Sequence, residues 1–165
     1  MRLPPRFASL IHAFGLALML GFALPATAAA PAIYTHSARL PADAAYTLLY
    51  ATLEKNGFYV IFEPDMGRSL AGMKDTLGAD YNRNQLSTMK SLVFCKPRAT
   101  NEIANADPAL LALCPLHITL THKDGVSTVY FARPSAIAAG SPGEALAKKL
   151  EADIVKVIES AFDGK

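Results

Sequence analysis

Residues 115–132 constrain the fold of this chain more than any other segment. Apolar and polar residues alternate in two runs, as is typical of strands with one buried face. The apolar members are Leu116, Ile118, Leu120, Val129 and Phe131. Lys123-Asp124-Gly125 lies between the runs and provides the glycine of a short hairpin connection. The segment therefore predicts an antiparallel hairpin, and other elements must cover its apolar face.

Three segments have the apolar spacing of amphipathic helices. The first follows Asp43, which can cap it, and ends near Gly57. The second runs from Met66 to Leu77, and we expect its apolar stripe to lie in the core rather than in a soft-metal site. The third begins with a capping box, Ser141-Pro-Gly-Glu144. The stripes are Tyr46, Leu49, Tyr50 and Leu53; Met66, Leu70, Met73 and Leu77; and Leu146, Leu150, Ile154, Val157, Ile158 and Ala161.

Further strands are predicted at Ile33–Arg39, Phe58–Glu63 and Ser91–Phe94, the second of them largely buried. Residues 98–113 are helical or irregular, and Asp107-Pro108 can start a helical turn. Strands and helices in this order predict an α+β fold, an antiparallel sheet with helices packed on one face.

The N-terminal 28 residues have the organisation of a signal peptide. Arg2 and Arg6 precede an apolar run over residues 10–24, which at about 15 residues is shorter than a membrane-spanning helix of roughly 20. Pro25 and the small residues Ala26-Thr27-Ala28 follow and predict cleavage after Ala28. We therefore expect a single domain over residues 29–165 in the periplasm or secreted, with no membrane span after cleavage.

Charge and motifs exclude several function classes. Residues 1–28 contain two of the 16 basic residues and none of the 14 acidic ones, so the rest of the chain is neutral. A neutral domain has no overall field to attract nucleic acid. The sequence contains no Gly-x-Ser-x-Gly, His-Glu-x-x-His or glycine-rich phosphate loop. It therefore favours a binding protein over an enzyme and indicates no cofactor.

The chain has two cysteines, Cys95 and Cys114, each at the end of a predicted strand. In an exported protein two cysteines usually pair, and closing a loop of about 20 residues would stabilise the fold by roughly 3 kcal/mol. The alternative is a redox or metal site formed by Cys95, Cys114 and His117, because thiolates and imidazole suit zinc or copper. His122 lies five residues from His117 and faces the other side of the strand.

Charged residues suggest two weaker sites. Glu63 and Asp65 flank Pro64 and could act as an acid–base pair of a hydrolase, although Asp is expected in a turn of this kind. A basic stretch is either a solvated surface or an attractor of small anions. Its members are Arg83, Lys90, Lys96 and Arg98.

The order of several short motifs resembles domain-of-unknown-function family 302. The motifs are Asn56-Gly-Phe58, Pro64-Asp65, Gly72, Phe94-Cys-Lys-Pro97, Asn105-Ala-Asp-Pro108, Pro115-Leu116 and Lys123-Asp-Gly125 followed by Tyr130. The resemblance covers roughly residues 45–140 and implies a small α+β domain, often dimeric, with no established reaction. The chain departs from the family pattern at Cys95-Lys96, Met66 and Cys114, where the family usually has Gly-Asn, His and Leu.

Together these features predict an exported small binding or accessory domain that is stabilised by one Cys95–Cys114 disulfide. Its partner is an unknown small molecule or protein, and a homodimer is left open. The predicted ligand pocket comprises Asp65, Phe94, Lys96, Pro97 and Pro115. The alternative function is a periplasmic thiol or metal-binding protein that uses Cys95, Cys114 and His117.

Overall fold

The predicted hairpin forms the middle of a five-stranded antiparallel sheet in the computed structural model, which describes residues 31–164. The strand order is β1-β5-β4-β3-β2, and every neighbouring pair is antiparallel. The strands are β1 (Ile33–Ala38), β2 (Tyr59–Phe62), β3 (Thr88–Cys95), β4 (Leu116–Lys123) and β5 (Val126–Ala132).

Helices cover one face of this sheet. The two that bury long apolar stripes are α1 (Ala42–Lys55) and α6 (Glu144–Asp163). The other helices of the described residues are α2 (Met66–Ala71), α3 (Lys74–Leu77), α4 (Pro97–Ala106) and α5 (Pro134–Ile137), with 3-10 turns at Gly78–Asp80 and Pro108–Leu113. The five apolar residues of the hairpin are all buried. Leu49 and Leu53 of α1 and the predicted stripe of α6 except Leu146 are buried with them, whereas Tyr46, Tyr50 and Leu146 are half-buried. The α+β fold with helices on one face is thus confirmed, and it rests on burial of the apolar hairpin face.

The prediction that β2 is largely buried is wrong. Tyr59, Ile61 and Phe62 are 54%, 60% and 62% exposed, and only Val60 packs against the core. The reason is the position of β2 at the edge of the sheet, where one side of the strand has no neighbour. The backbone N–H of Val60 donates to the Glu54 carboxylate at 2.7 Å, which satisfies one donor of this short edge strand.

The predicted core helix over residues 66–77 is also wrong. The segment forms the two short helices α2 and α3, neither has a buried residue, and Met73 is 50% exposed. The Asp65 side chain caps α2 by accepting from the N–H of Arg68, so the helix begins at Met66. The segment packs beside β3 rather than over the sheet, and helical spacing alone could not distinguish these two positions.

The start of α6 differs in detail from the predicted capping box. Ser141 Oγ accepts from the N–H of Gly143, and the Glu144 carboxylate accepts from the N–H of Gly140. These bonds join N–H groups that precede the helix, so the predicted capping box is wrong: the N-cap is Gly143, no side chain caps it, and the first helical residue is Glu144. Glu144 also forms an i, i+4 ion pair with Lys148, with 2.6 Å between Oε1 and Nζ.

Predictions that concern the N-terminal segment fall outside the described residues. The signal peptide over residues 1–28, the domain boundary at residue 29 and the periplasmic or secreted location stay predictions. Within residues 31–164 no helix is long and apolar enough to cross a lipid bilayer.

Candidate ligand-binding site

The junction between β3 and α4 places Lys96 at a corner of the sheet. Cys95 ends β3, Lys96 is extended, and Pro97 is the first residue of α4. Proline suits the first helical position because its fixed φ is already helical and it lacks the N–H that would be left unpaired there. The chain therefore turns from strand to helix at Lys96.

An aromatic pair lies beneath Lys96. The Phe94 ring is fully buried and meets the Phe58 ring edge to face, with 5.7 Å between the centroids. Lys96 Nζ lies 4.4 Å from the Phe58 centroid, within the range of a cation–π contact. Phe58 reaches this position because Gly57, with a φ of +73°, reverses the chain after α1. The contact holds the ammonium over a rigid surface.

Two adjoining cavities border this ammonium, and we call them together the Lys96 groove. The first, of about 380 Å³, is lined by Asn56, Phe58, Lys96, Asp153, Lys156, Val157 and Ser160. The second, of about 330 Å³, is lined by Lys96, Arg98, Ala99, Glu102, Ile103, Leu146, Lys149, Leu150 and Asp153. Lys96 and Asp153 line both cavities, so the groove continues from the α1–β2 turn to the space between α4 and α6.

The charged side chains of the groove fall into two groups. Arg98 pairs with Glu102, and Lys149 pairs with Asp153, both at 3.1 Å between nitrogen and oxygen. Lys96 and Lys156 have no such pair: among the described residues no carboxylate oxygen comes within 4.0 Å of either ammonium. Positive charge that the fold does not neutralise is therefore concentrated at the first cavity.

The structure gathers four of the five predicted pocket residues at one end of the sheet. Lys96 lines the groove, Pro97 follows it, and Phe94 supports Phe58 from the core. Pro115 precedes β4, whose Leu116 pairs with Phe94. Asp65 lies elsewhere, bridged to Lys90, which is five residues or about 17 Å along β3 from Cys95.

The carboxylates near Pro64 have structural partners. Asp65 caps α2, and Glu63 accepts a hydrogen bond from the Tyr46 hydroxyl. Burial, reinforced by this hydrogen bond to Glu63, raises the pKa of Tyr46. Lys90 Nζ lies 5.2 Å from the centroid of the Tyr46 ring. These contacts account for both carboxylates without a hydrolytic role.

Comparison with known proteins identifies the family but not the reaction. A family profile described as "Domain of unknown function DUF302" matches residues 33–161. The chain belongs to the DUF302 family. The crystal structure of an uncharacterised conserved DUF302 protein from Bacillus stearothermophilus is similar, with a TM-score of 0.64 and 18% sequence identity. The match covers 81% of this chain and 98% of that one. No curated protein matches the chain.

The predicted function of this DUF302 domain needs correction, because the disulfide that was to stabilise it is absent. Cys95 ends β3, and Cys114 lies two residues before the start of β4. The two cysteines are 4.2 Å apart and are not bonded. Cys114 Sγ instead lies 3.1 Å from Thr100 Oγ1, as a hydrogen-bond partner. Burial and the neighbouring Cys114 raise the pKa of the Cys95 thiol, which favours the protonated form. The family itself has no known function, so it lends no support to the predicted exported binding role.

The structure brings together the two thiols of the alternative site but does not assemble a metal centre among the described residues. Within residues 31–164 no cluster of three or more His, Cys, Asp or Glu side chains could hold a metal ion. His117 is exposed on the face of the sheet that carries Thr119, whereas His122 contacts Ser127 Oγ at 3.0 Å.

Sequence reasoning missed the contribution of α6 to the groove. Lys149, Asp153 and Lys156 recur at helical spacing beside the buried stripe of α6. That spacing is a signal that they share one side of the helix. It does not reveal that this side faces Lys96, 60 residues before Lys156 in the chain.

Proposed function

We propose that this DUF302 domain binds a small anionic molecule, with its carboxylate or phosphate group between Lys96 and Lys156. The observation that carries the proposal is that two ammonium groups, neither with an ion-pair partner among residues 31–164, lie at one cavity of about 380 Å³. The role does not depend on the cysteine pair. It develops the prediction that the basic stretch around Lys96 attracts small anions.

The electrostatics of the groove support an anion. Its lining contains four cations and two carboxylates, an excess of two positive charges, whereas residues 29–165 as a whole are neutral. A concave surface with charge of one sign concentrates ligands of the opposite sign. Arg98 and Lys149 are largely neutralised by their partners, so Lys96 and Lys156 supply the excess.

The position of Lys96 is set before any ligand arrives. Its backbone is fixed between β3 and Pro97, and its ammonium contacts the Phe58 ring. Preorganisation of this kind lowers the entropy that a side chain loses on binding. Lys156 is exposed on α6 and can move toward the bound group.

The test is titration of the full chain with inorganic phosphate and, separately, acetate at constant ionic strength, followed by amide NMR shifts. We expect the largest shifts at Phe58, Lys96 and Val157 for whichever class of anion the site prefers. Lys96→Gln should weaken binding at least tenfold, because one of two paired contacts to the anion is lost. Lys90→Gln is the matched control, since Lys90 also lies over an aromatic ring but outside the groove.

Asp153→Asn tests whether the positive charge of the groove is what attracts the anion. Removal of a carboxylate from the groove should tighten binding of either anion severalfold, because the excess of positive charge increases. Shifts scattered over the surface, or equal binding by Lys96→Gln and the unaltered chain, would contradict the proposal.

A further inference from the structure

The second cavity of the groove differs in chemistry from the first. Its floor is apolar and consists of Ala99 and Ile103 from α4 with Leu146 and Leu150 from α6. Ile103 and Leu150 are almost completely buried, and Ala99 and Leu146 pack against the same core. The floor is therefore an apolar strip between two helices, and Lys96 lines the same cavity.

The rims of this cavity are charged but internally paired. Arg98 and Glu102 pair along α4, and Lys149 and Asp153 pair along α6. Each rim is thus neutral overall, in contrast to the pair Lys96 and Lys156 at the first cavity. A ligand that matches both cavities has an anionic end and an uncharged, apolar remainder.

From this contrast we infer that the ligand is an anionic amphiphile, with its charged group between Lys96 and Lys156 and an apolar chain along the floor between α4 and α6. The inference rests on the proposed anion site and specifies what is attached to the anion. The volume of about 330 Å³ is at the lower end of small-molecule pockets, which suits a short chain rather than a bulky ring system.

A chain-length series tests this directly. The probes are acetate, butanoate, hexanoate and octanoate, titrated into the full chain below their aggregation limits, with octyl phosphate and octanol as further arms. Each methylene that the floor buries should tighten binding by up to about fourfold. We expect affinity to rise along the series and octanol to bind at least tenfold more weakly than the better of the two eight-carbon anions. The ratio of octanoate to octyl phosphate reports which charged group fits.

Variants separate the floor from the anion site. Leu146→Asn should remove most of the gain from acetate to octanoate but leave the affinity for acetate and phosphate within about twofold, because Leu146 lines only the second cavity. Leu48→Asn is the control, since Leu48 is a 43% exposed leucine of α1 that does not line the groove. Unchanged thermal midpoints would show that both variants fold.

The outcomes distinguish this inference from the proposed function. If phosphate and acetate bind through Lys96 but affinity does not rise with chain length, the amphiphile is excluded and the anion site stands. A rise of equal size in Leu146→Asn would exclude the floor between α4 and α6. Failure of every anion to bind would overturn both.

Discussion

The two ends of β3 place a lysine over an aromatic ring in each case, yet they differ in what surrounds the lysine. Lys90 lies over Tyr46, whose hydroxyl is tied to Glu63, and its backbone is bridged to Asp65. Lys96 lies over Phe58, which has no polar group, and β3 gives way there to a helix. The same pair of residue types therefore belongs to a closed hydrogen-bonded cluster at one end and to a groove at the other.

The difference comes from backbone pairing rather than from the lysines. Near Lys90 the chain after β2 stays beside β3, and the N–H of Ser91 donates to the carbonyl of Pro64. Near Lys96 the strand has ended, and the groove is lined by residues of α4 and α6. The groove therefore lies where the regular hydrogen bonding of β3 stops, and two of its lysines, Lys96 and Lys156, have no ion-pair partner among residues 31–164.

Truncation of the ring beneath Lys96 should have the largest effect. Phe58→Ala removes a ring that is 1% exposed and should lower the free energy of unfolding by about 3–5 kcal/mol. Chemical denaturation of the full chain measures the change. Tyr59→Ala, one residue later and 54% exposed, is the control and should cost no more than about 0.5 kcal/mol. Equal effects would show that Phe58 is not part of the core.

The ring beneath Lys90 should matter less. Tyr46→Phe keeps the ring and loses one hydrogen bond to an exposed carboxylate, so we expect a loss of about 0.5–1 kcal/mol. A double-mutant cycle with Glu63→Ala, which removes the acceptor, isolates the interaction when measured by denaturant unfolding. A coupling energy of zero would mean that the cluster at this end does not stabilise the fold.

The stabilisation of the fold by the hydrogen bond between Tyr46 and Glu63 should decrease at alkaline pH. The raised pKa of Tyr46 means that the folded state holds the phenolic proton more tightly than the unfolded state, whose pKa is about 10. The stabilisation is complete below that pH and is lost as pH rises above it. The difference in stability between the unaltered chain and Tyr46→Phe should therefore shrink as pH rises above about 10. A constant difference would contradict the proton linkage.

Reductant should have the smallest effect, although both cysteines lie at the Lys96 end. Because Cys95 and Cys114 are unbonded, we expect the same thermal midpoint with and without reductant and two titratable thiols in the unfolded chain. A disulfide that closes about 20 residues would be worth roughly 3 kcal/mol and would be lost on reduction. A clear drop in the thermal midpoint on addition of reductant would show that Cys95 and Cys114 form a disulfide.

The sequence predicted burial correctly where apolar residues repeat with the period of the helix or strand that they form. The hairpin, α1 and α6 each carry an apolar repeat that matches their own geometry, and each buries the face that carries the repeat, although Tyr46, Tyr50 and Leu146 are only half-buried. It failed at β2 and at Met66–Leu77, where the residues are equally apolar but the fold places them at an edge. Composition predicts that a segment can be buried, whereas its neighbours decide whether it is.

The candidate site likewise contains residues that the sequence indicates and residues that only the packing of the elements brings there. Lys96 and the basic stretch that contains it were evident from the sequence, because charge and a strand end are local features. Asp65 belongs to the predicted pocket and to the family-like motif Pro64-Asp65. It is bridged to Lys90, and the strand rise over five residues of β3 separates it from the groove. Lys156 could not be assigned at all, because only the packing of α6 brings it to Lys96.

By itself the sequence determined the α+β class, the antiparallel hairpin, the two principal helices and the DUF302 family, since each depends on short-range patterns. Only the tertiary structure decided that two lysines without an ion-pair partner among the described residues share a groove, that its floor is apolar between α4 and α6, and that the cysteines adjoin without bonding. These properties depend on contacts between residues far apart in the chain. Such contacts are set by how all the elements pack, and no local repeat records them.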